Sequence, residues 1–151
     1  MSPVMSPLPG HDYDFDLSIR PFGDRPQSVE REELDAYLSS LPRVRRHEVI
    51  GFVLDRPPGR WMEIRPQWRS PEGVEKAAPH GSDRVNYIHL HFPAHARGPE
   101  RDAEYVRLAF EIAEHLGWWV HDDTDSDDWV SPDLLEAWWP KHRRKPWWKF
   151  W

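Results

Sequence analysis

The chain has 151 residues, of which 38% are hydrophobic and 30% charged, and its formal net charge is −6. This length suits one domain, and the mean hydropathy of −0.83 excludes a protein with transmembrane helices, because each span needs about 20 consecutive apolar residues. The chain contains no cysteine, which excludes disulfides, thiolate-bound zinc and cysteine nucleophiles.

The first part of the chain predicts an arm, a strand and a helix. Residues 1–11 are rich in proline and lack the pattern of an export signal, so we expect a flexible N-terminal arm on a cytoplasmic protein. Apolar and polar residues alternate over 12–19, which predicts a half-buried strand. Ser28 is placed to cap a helix whose apolar residues recur at helical spacing until Pro42 ends it.

The middle of the chain predicts a hairpin and one further strand. Residues 47–55 and 60–66 are β-branched and aromatic, and a Pro-Pro-Gly turn separates them. A polar loop is expected over residues 67–83. Residues 85–92 then predict a fourth strand.

The second half predicts two helices and a short strand. Pro99 suits the first position of a long helix, and Gly117 suits its end. Residues 118–121 predict a last strand, and residues 131–140 a short C-terminal helix.

Together these elements predict an α+β fold over a single domain, residues 12–140. We expect a mostly antiparallel sheet of about five strands with two long helices on one face, in a ferredoxin-like order with an extra hairpin strand.

Two histidines in the fourth strand suggest a divalent metal site. Alternation places His89 and His91 on the outer face of that strand, as it places Asp14 and Asp16 on the first strand. Neutral imidazoles and carboxylates can bind a metal ion at about 2.0–2.1 Å. If the strands are neighbours, these residues could serve a metal-dependent hydrolase. The alternative is an ordinary polar sheet face or a surface that binds a partner.

A run of aspartates precedes Trp129 and is the predicted contact surface for a basic partner. It consists of Asp122, Asp123, Asp125, Asp127 and Asp128. Such a run is either a solvated loop or an attractant for a cationic surface. An EF-hand calcium loop is not expected, because Asp128 stands where that loop needs glycine.

The charge is unevenly distributed between the body and the C-terminal tail. Residues 141–151 form a tryptophan-rich tail with five basic residues and no acidic one. The preceding 140 residues therefore hold 15 basic and all 26 acidic residues, a net charge of −11. An acidic body repels phosphate backbones, so we expect no nucleic-acid binding through it. The tail could fold back on the body or contact a membrane surface, RNA or a protein partner.

Sequence motifs of common enzymes are missing. There is no glycine-rich phosphate loop, no G-x-S-x-G elbow and no H-E-x-x-H motif. We therefore expect a protein that is not an enzyme, unless the histidine strand binds a metal ion.

The segments at residues 12–19 and 113–123, in a short acidic chain, resemble the layout of bacterial immunity proteins of polymorphic-toxin or type VI effector systems. The likeness extends over residues 12–140 and is one of layout. It implies a protein that binds and neutralises a cognate toxin domain without catalysis, and it supplies no catalytic residues.

Overall fold

A computed structural model describes residues 12–22, 27–56, 60–70, 75–76 and 83–131. These residues form an α+β fold with a large antiparallel sheet and two helices. The predicted arm, C-terminal helix and tail lie outside the described residues, apart from Ser131.

Ten strands and two helices follow one another along the described chain. The strands are β1 Phe15–Arg20, β2 Val29–Glu30, β3 Val44–His47, β4 Gly51–Arg56, β5 Arg60–Arg69, β6 Glu75–Lys76, β7 Arg84–Val85, β8 Tyr87–Phe92, β9 Trp119–Asp122 and β10 Asp128–Trp129. The helices are α1 Arg31–Ser40 and α2 Pro99–Leu116, and a 3₁₀ turn at Ala94–Ala96 precedes α2. Seven strands lie side by side in the order β10-β9-β1-β8-β5-β4-β3, β6 pairs with β5, and β2 and β7 form a separate pair.

The core lies between one face of this sheet and both helices. Leu17 in β1 lies opposite Leu90 in β8, which in turn lies opposite Ile64 in β5. Leu38 of α1 and Ile112 of α2 belong to the same buried cluster as these strand residues. Each such side chain, once fully buried, stabilises the fold by about 1.5–3 kcal/mol relative to an exposed one. The alternate strand positions therefore carry the polar side chains on the opposite face.

The prediction of about five strands is wrong, because the main sheet has eight. The segment at residues 47–55 is not one strand: β3 and β4 are joined by a tight turn. His47 Nδ1 accepts hydrogen bonds from the backbone N–H groups of Val49 and Ile50, at 3.2 and 3.1 Å. A side chain thus supports this turn, which has no proline.

The prediction that Ser28 caps α1 is wrong. Ser28 Oγ instead accepts a hydrogen bond from Arg84 Nε at 2.7 Å, and α1 begins two residues after the start of β2. Glu32 and Glu33 lie in the first turn of α1, where negative charge is favourable near the positive end of the helix dipole.

The long second helix is confirmed. Pro99 is at its start, and Gly117 ends it in the left-handed conformation with φ of 70°. Trp118 N–H donates to the carbonyl of Ala113 at 2.9 Å, which closes the helix end. Neither helix of the described ranges is both long and apolar enough to cross a membrane.

Candidate functional site

Two polar clusters occupy the sheet face that the helices leave uncovered. Strands β1 and β8 are neighbours, with Asp16 opposite His91 and Ser18 opposite His89. Glu63 of β5 lies opposite His91 on its other side. The register therefore brings the predicted histidines and aspartates to one place.

The first cluster, called the histidine cluster below, consists of Asp16, His89 and His91. Asp16 Oδ1 lies 2.8 Å from His89 Nε2 and 2.7 Å from His91 Nδ1. One ligand atom from each of the three residues can be chosen so that all lie within 4.8 Å of one another. The side chains of both histidines are 24% exposed and that of Asp16 is 32% exposed, so water and small ions can reach them.

The two histidines control the charge of Asp16. Burial by itself would raise the pKa of the Asp16 carboxyl, but the hydrogen bonds from His89 and His91 outweigh it and hold that pKa well below its usual range. The hydrogen bond to Asp16 also raises the pKa of His91 above its ordinary value, against the effect of burial. The cluster therefore keeps a carboxylate anion at its centre.

Asp14 lies at the edge of the histidine cluster. Its Oδ2 is 3.5 Å from His91 Nε2, and its Oδ1 accepts a hydrogen bond from the backbone N–H of Ala94 at 2.8 Å. Asp14 thus faces the second ring nitrogen of His91, on the far side of the imidazole from Asp16.

The second cluster surrounds the carboxylate of Asp123. Its Oδ1 accepts hydrogen bonds from Ser18 Oγ at 3.0 Å and Arg20 Nη2 at 2.7 Å, and lies 2.5 Å from His121 Nδ1. Its Oδ2 accepts a hydrogen bond from the Tyr87 hydroxyl at 2.9 Å. Asp123 was predicted as a partner contact, yet its side chain is only 17% exposed and joins three strands.

The aspartate run forms a turn, called the acidic turn below, at residues 122–128. Asp122 is buried, and its carboxylate accepts hydrogen bonds from the backbone N–H groups of Thr124, Asp125 and Ser126. It also accepts a hydrogen bond from Ser126 Oγ at 3.0 Å. Asp122 therefore organises the turn from inside instead of facing solvent.

The other three aspartates of the turn are exposed. Asp125 accepts a hydrogen bond from the Tyr13 hydroxyl at 3.0 Å. Asp127 is 90% exposed at its side chain, and Asp128 is also exposed. These carboxylates are the ones that a partner could reach.

An aromatic group, called the aromatic edge below, lies where β9 and β10 end the sheet. Phe22 stacks on Trp119 with ring centroids 4.5 Å apart, and Trp129 contacts Phe22 edge-on at 5.0 Å. Phe22 and Trp119 are each 42% exposed. Of this group, sequence reasoning had selected only Trp129.

Sequence reasoning missed Arg20, Tyr87 and His121 as site residues. Arg20 and Tyr87 could have been found from the alternation of β1 and β8, which places both side chains on the outer face of the sheet. His121 gave no such signal, because its position follows from the pairing of β9 with β1.

Family models and curated sequences give no relative for this chain. The function must therefore be inferred from the geometry of its own residues.

Proposed function

We propose that this protein is an immunity protein that acts in the cytoplasm and neutralises a basic bacterial toxin domain by binding it. The observation that carries the proposal is the exposed pair Phe22 and Trp119, which adjoins the acidic turn through Trp129. Large aromatic side chains half exposed in a cluster are typical of the centre of a protein interface.

The charges around the aromatic edge favour a basic partner. The exposed carboxylates of Asp125, Asp127 and Asp128 follow one another beside it, on a body with a net charge of −11. Such a surface accelerates encounter with a cationic protein, and added salt screens the attraction. The association rate should therefore fall as the salt concentration rises.

The test has two steps. The tagged full-length chain is used to capture proteins from a lysate of the bacterium that encodes it, and each captured protein is then expressed in a host cell with and without the chain. We expect one captured protein to arrest growth and the wild-type chain to restore it.

Variants connect the rescue to the proposed surface. Trp119→Ala combined with Asp128→Asn should fail to restore growth, whereas Val49→Ala should restore it. Val49 is 82% exposed and lies in the β3–β4 turn, at the other end of the sheet. Capture of proteins that are all harmless, or equal rescue by both variants, would contradict the proposal.

We also infer that the centre of the fold is ferredoxin-like. Four central strands lie in the order β9-β1-β8-β5. Along the chain, α1 follows β1 and precedes β5, and α2 follows β8 and precedes β9. This is the interleaving of two split β-α-β units. The hairpin of β3 and β4 then extends one edge, and β10 extends the other.

A metal-dependent hydrolase is the second candidate, favoured by the convergence of Asp16, His89 and His91. Asp14 would orient a histidine, and a metal-bound water would be the nucleophile. Zinc-supplemented protein should then hydrolyse p-nitrophenyl acetate or bis(p-nitrophenyl) phosphate faster than His89→Gln does. Equal rates would contradict this candidate.

A further inference from the structure

We infer that the histidine cluster is a binding site for a divalent transition-metal ion, with zinc as the best fit. The ligands would be His89 Nε2, His91 Nδ1 and one carboxylate oxygen of Asp16. This inference is independent of the proposed inhibitor function, which uses a different part of the molecule, and it concerns the metal ion that the hydrolase candidate requires.

The backbone holds the three side chains in place. All three residues lie inside paired strands, with Asp16 directly opposite His91 and two residues from Ser18, the partner of His89. Adjacent antiparallel strands fix the positions of such side chains better than loops do. Only the outer ends of the side chains need to move to admit an ion.

Two of the three separations between donor atoms are close to those of a metal site, and all three are within 4.8 Å. Asp16 Oδ1 is 2.8 and 2.7 Å from the two ring nitrogens. Ligands about 2.0–2.1 Å from a tetrahedral zinc ion lie about 3.4 Å from one another. The cluster must therefore open by about 0.6–0.7 Å between carboxylate and imidazole, a change that small side-chain rotations supply.

Asp14 provides the outer support that a metal-bound imidazole needs. When Nδ1 of His91 binds a metal ion, the ring proton must be on Nε2, and that atom lies 3.5 Å from Asp14 Oδ2. The Ala94 N–H holds the other oxygen of Asp14 at 2.8 Å. A carboxylate behind a metal-binding histidine fixes the ring tautomer and orientation.

The donor set selects the kind of metal. Two imidazoles and one carboxylate suit zinc and similar ions, whereas magnesium and calcium prefer all-oxygen sites. Glu63 is near His91 in the register, but its Oε1 is bound to Arg65 Nη2 at 2.7 Å. Three protein ligands on a water-accessible face leave a coordination position for water.

The experiment is calorimetric titration of zinc chloride into the full-length protein after treatment with a chelator. We expect one tight site in the wild-type protein. His89→Gln and His91→Gln should each weaken that site at least 100-fold, and Asp14→Asn should weaken it about 10–100-fold, as loss of an outer carboxylate does.

A histidine elsewhere serves as the control. His115 lies in α2 and stacks on Tyr37 with ring centroids 3.6 Å apart, so His115→Gln should leave the tight site unchanged. Cobalt titration gives a second readout, because a tetrahedral site with histidine ligands produces visible absorption that His89→Gln should abolish.

Two results would overturn the inference. One is zinc binding in the wild-type protein no tighter than in the His89→Gln/His91→Gln double variant. The other is equal weakening by His115→Gln, which would place the ion elsewhere. Circular dichroism of each metal-free variant shows whether it is folded, and a misfolded glutamine variant would be replaced by Asp16→Asn, which keeps the side-chain shape. Growth rescue by the same variants tests the inhibitor function separately.

Discussion

Arg97 and Asp102 form an ion pair from which water is excluded. Arg97 Nη2 lies 3.0 Å from Asp102 Oδ2, and neither side chain has any exposed surface. The guanidinium also donates to the carbonyl of Tyr13 at 3.1 Å and lies over the ring of Phe15 at 5.0 Å. The pair therefore joins the start of α2 to the start of β1.

Removing one partner of this pair should be strongly destabilising. Asp102→Ala leaves the Arg97 cation buried without its carboxylate, and we expect a loss of about 3–5 kcal/mol in the free energy of unfolding. Urea denaturation followed by circular dichroism measures the loss. Glu100→Ala changes an exposed acid in the same helix turn and should have a much smaller effect. Equal losses in the two variants would contradict the prediction.

Two aspartates of the acidic turn should differ in their effect on stability. Asp122→Ala removes a buried carboxylate that accepts backbone hydrogen bonds within the turn, and we expect a loss of about 1.5–3 kcal/mol. Asp127→Asn changes an exposed carboxylate at a residue with φ of 50°, which asparagine tolerates. Its effect should stay within about 0.5 kcal/mol. Thermal unfolding separates the two, and a larger loss in Asp127→Asn would show that Asp122 does not organise the turn.

The stability of the protein should depend on the protonation of Glu111. Burial raises the pKa of the Glu111 carboxyl, Glu114 adds to this, and Arg107 opposes it. The group therefore contributes stability below the unfolded pKa of about 4.3, and this contribution is lost as the pH rises through the raised folded pKa.

In the variant Glu111→Gln, the side chain at position 111 is neutral at every pH, so this variant avoids the loss of stability that ionisation of Glu111 causes. Compared with the wild type, its unfolding temperature should be higher at pH 7, and the advantage should shrink towards pH 3.5. Glu48→Gln, at an exposed position in the β3–β4 turn, is the control. A difference between Glu111→Gln and wild type that is the same at both pH values would contradict this account.

A side chain at Gly51 should destabilise the β3–β4 hairpin. Gly51 has φ of 118°, and a Cβ there would be 3.1 Å from the Ile64 carbonyl oxygen and 3.3 Å from Pro66 Cδ. Because L-residues are strained in this conformation, Gly51→Ala should lower the free energy of unfolding by about 1–3 kcal/mol. Val49→Ala in the same turn should change it by less than about 0.5 kcal/mol. The backbone amides of β4 should exchange hydrogen faster in Gly51→Ala than in the wild type, and Val49→Ala should leave their exchange unchanged. Unchanged exchange in Gly51→Ala would contradict the prediction.

The parts of the fold that sequence predicted best have long, regular patterns. The apolar stripe and terminal residues of α2 define it without help from other elements, and the alternation in β8 places His89 and His91 on one face. The split between β3 and β4 was not predictable, because a histidine side chain closes the turn. Strand β10 has two residues, too few for any periodicity.

The residues of the candidate site could be predicted from the sequence, but which strands lie next to one another in the sheet could not. Alternation identifies the faces of Asp16 and His91, but the pairing of β1 with β8 puts them together. For the aspartate run, the sequence identified the residues but not which of their side chains are buried. All five aspartates were predicted to contact a partner, whereas the pairing of β9 with β1 and the turn bury Asp122 and largely enclose Asp123.

Strand β3 ends the sheet on the side away from the acidic turn, and its sequence has a consequence for self-association. After buried Val44, the residues Arg45, Arg46 and His47 are all exposed. An outermost strand offers backbone groups to any second chain that can align with it. Two neighbouring arginines on each copy would repel one another in such an alignment, so this border disfavours an intermolecular sheet.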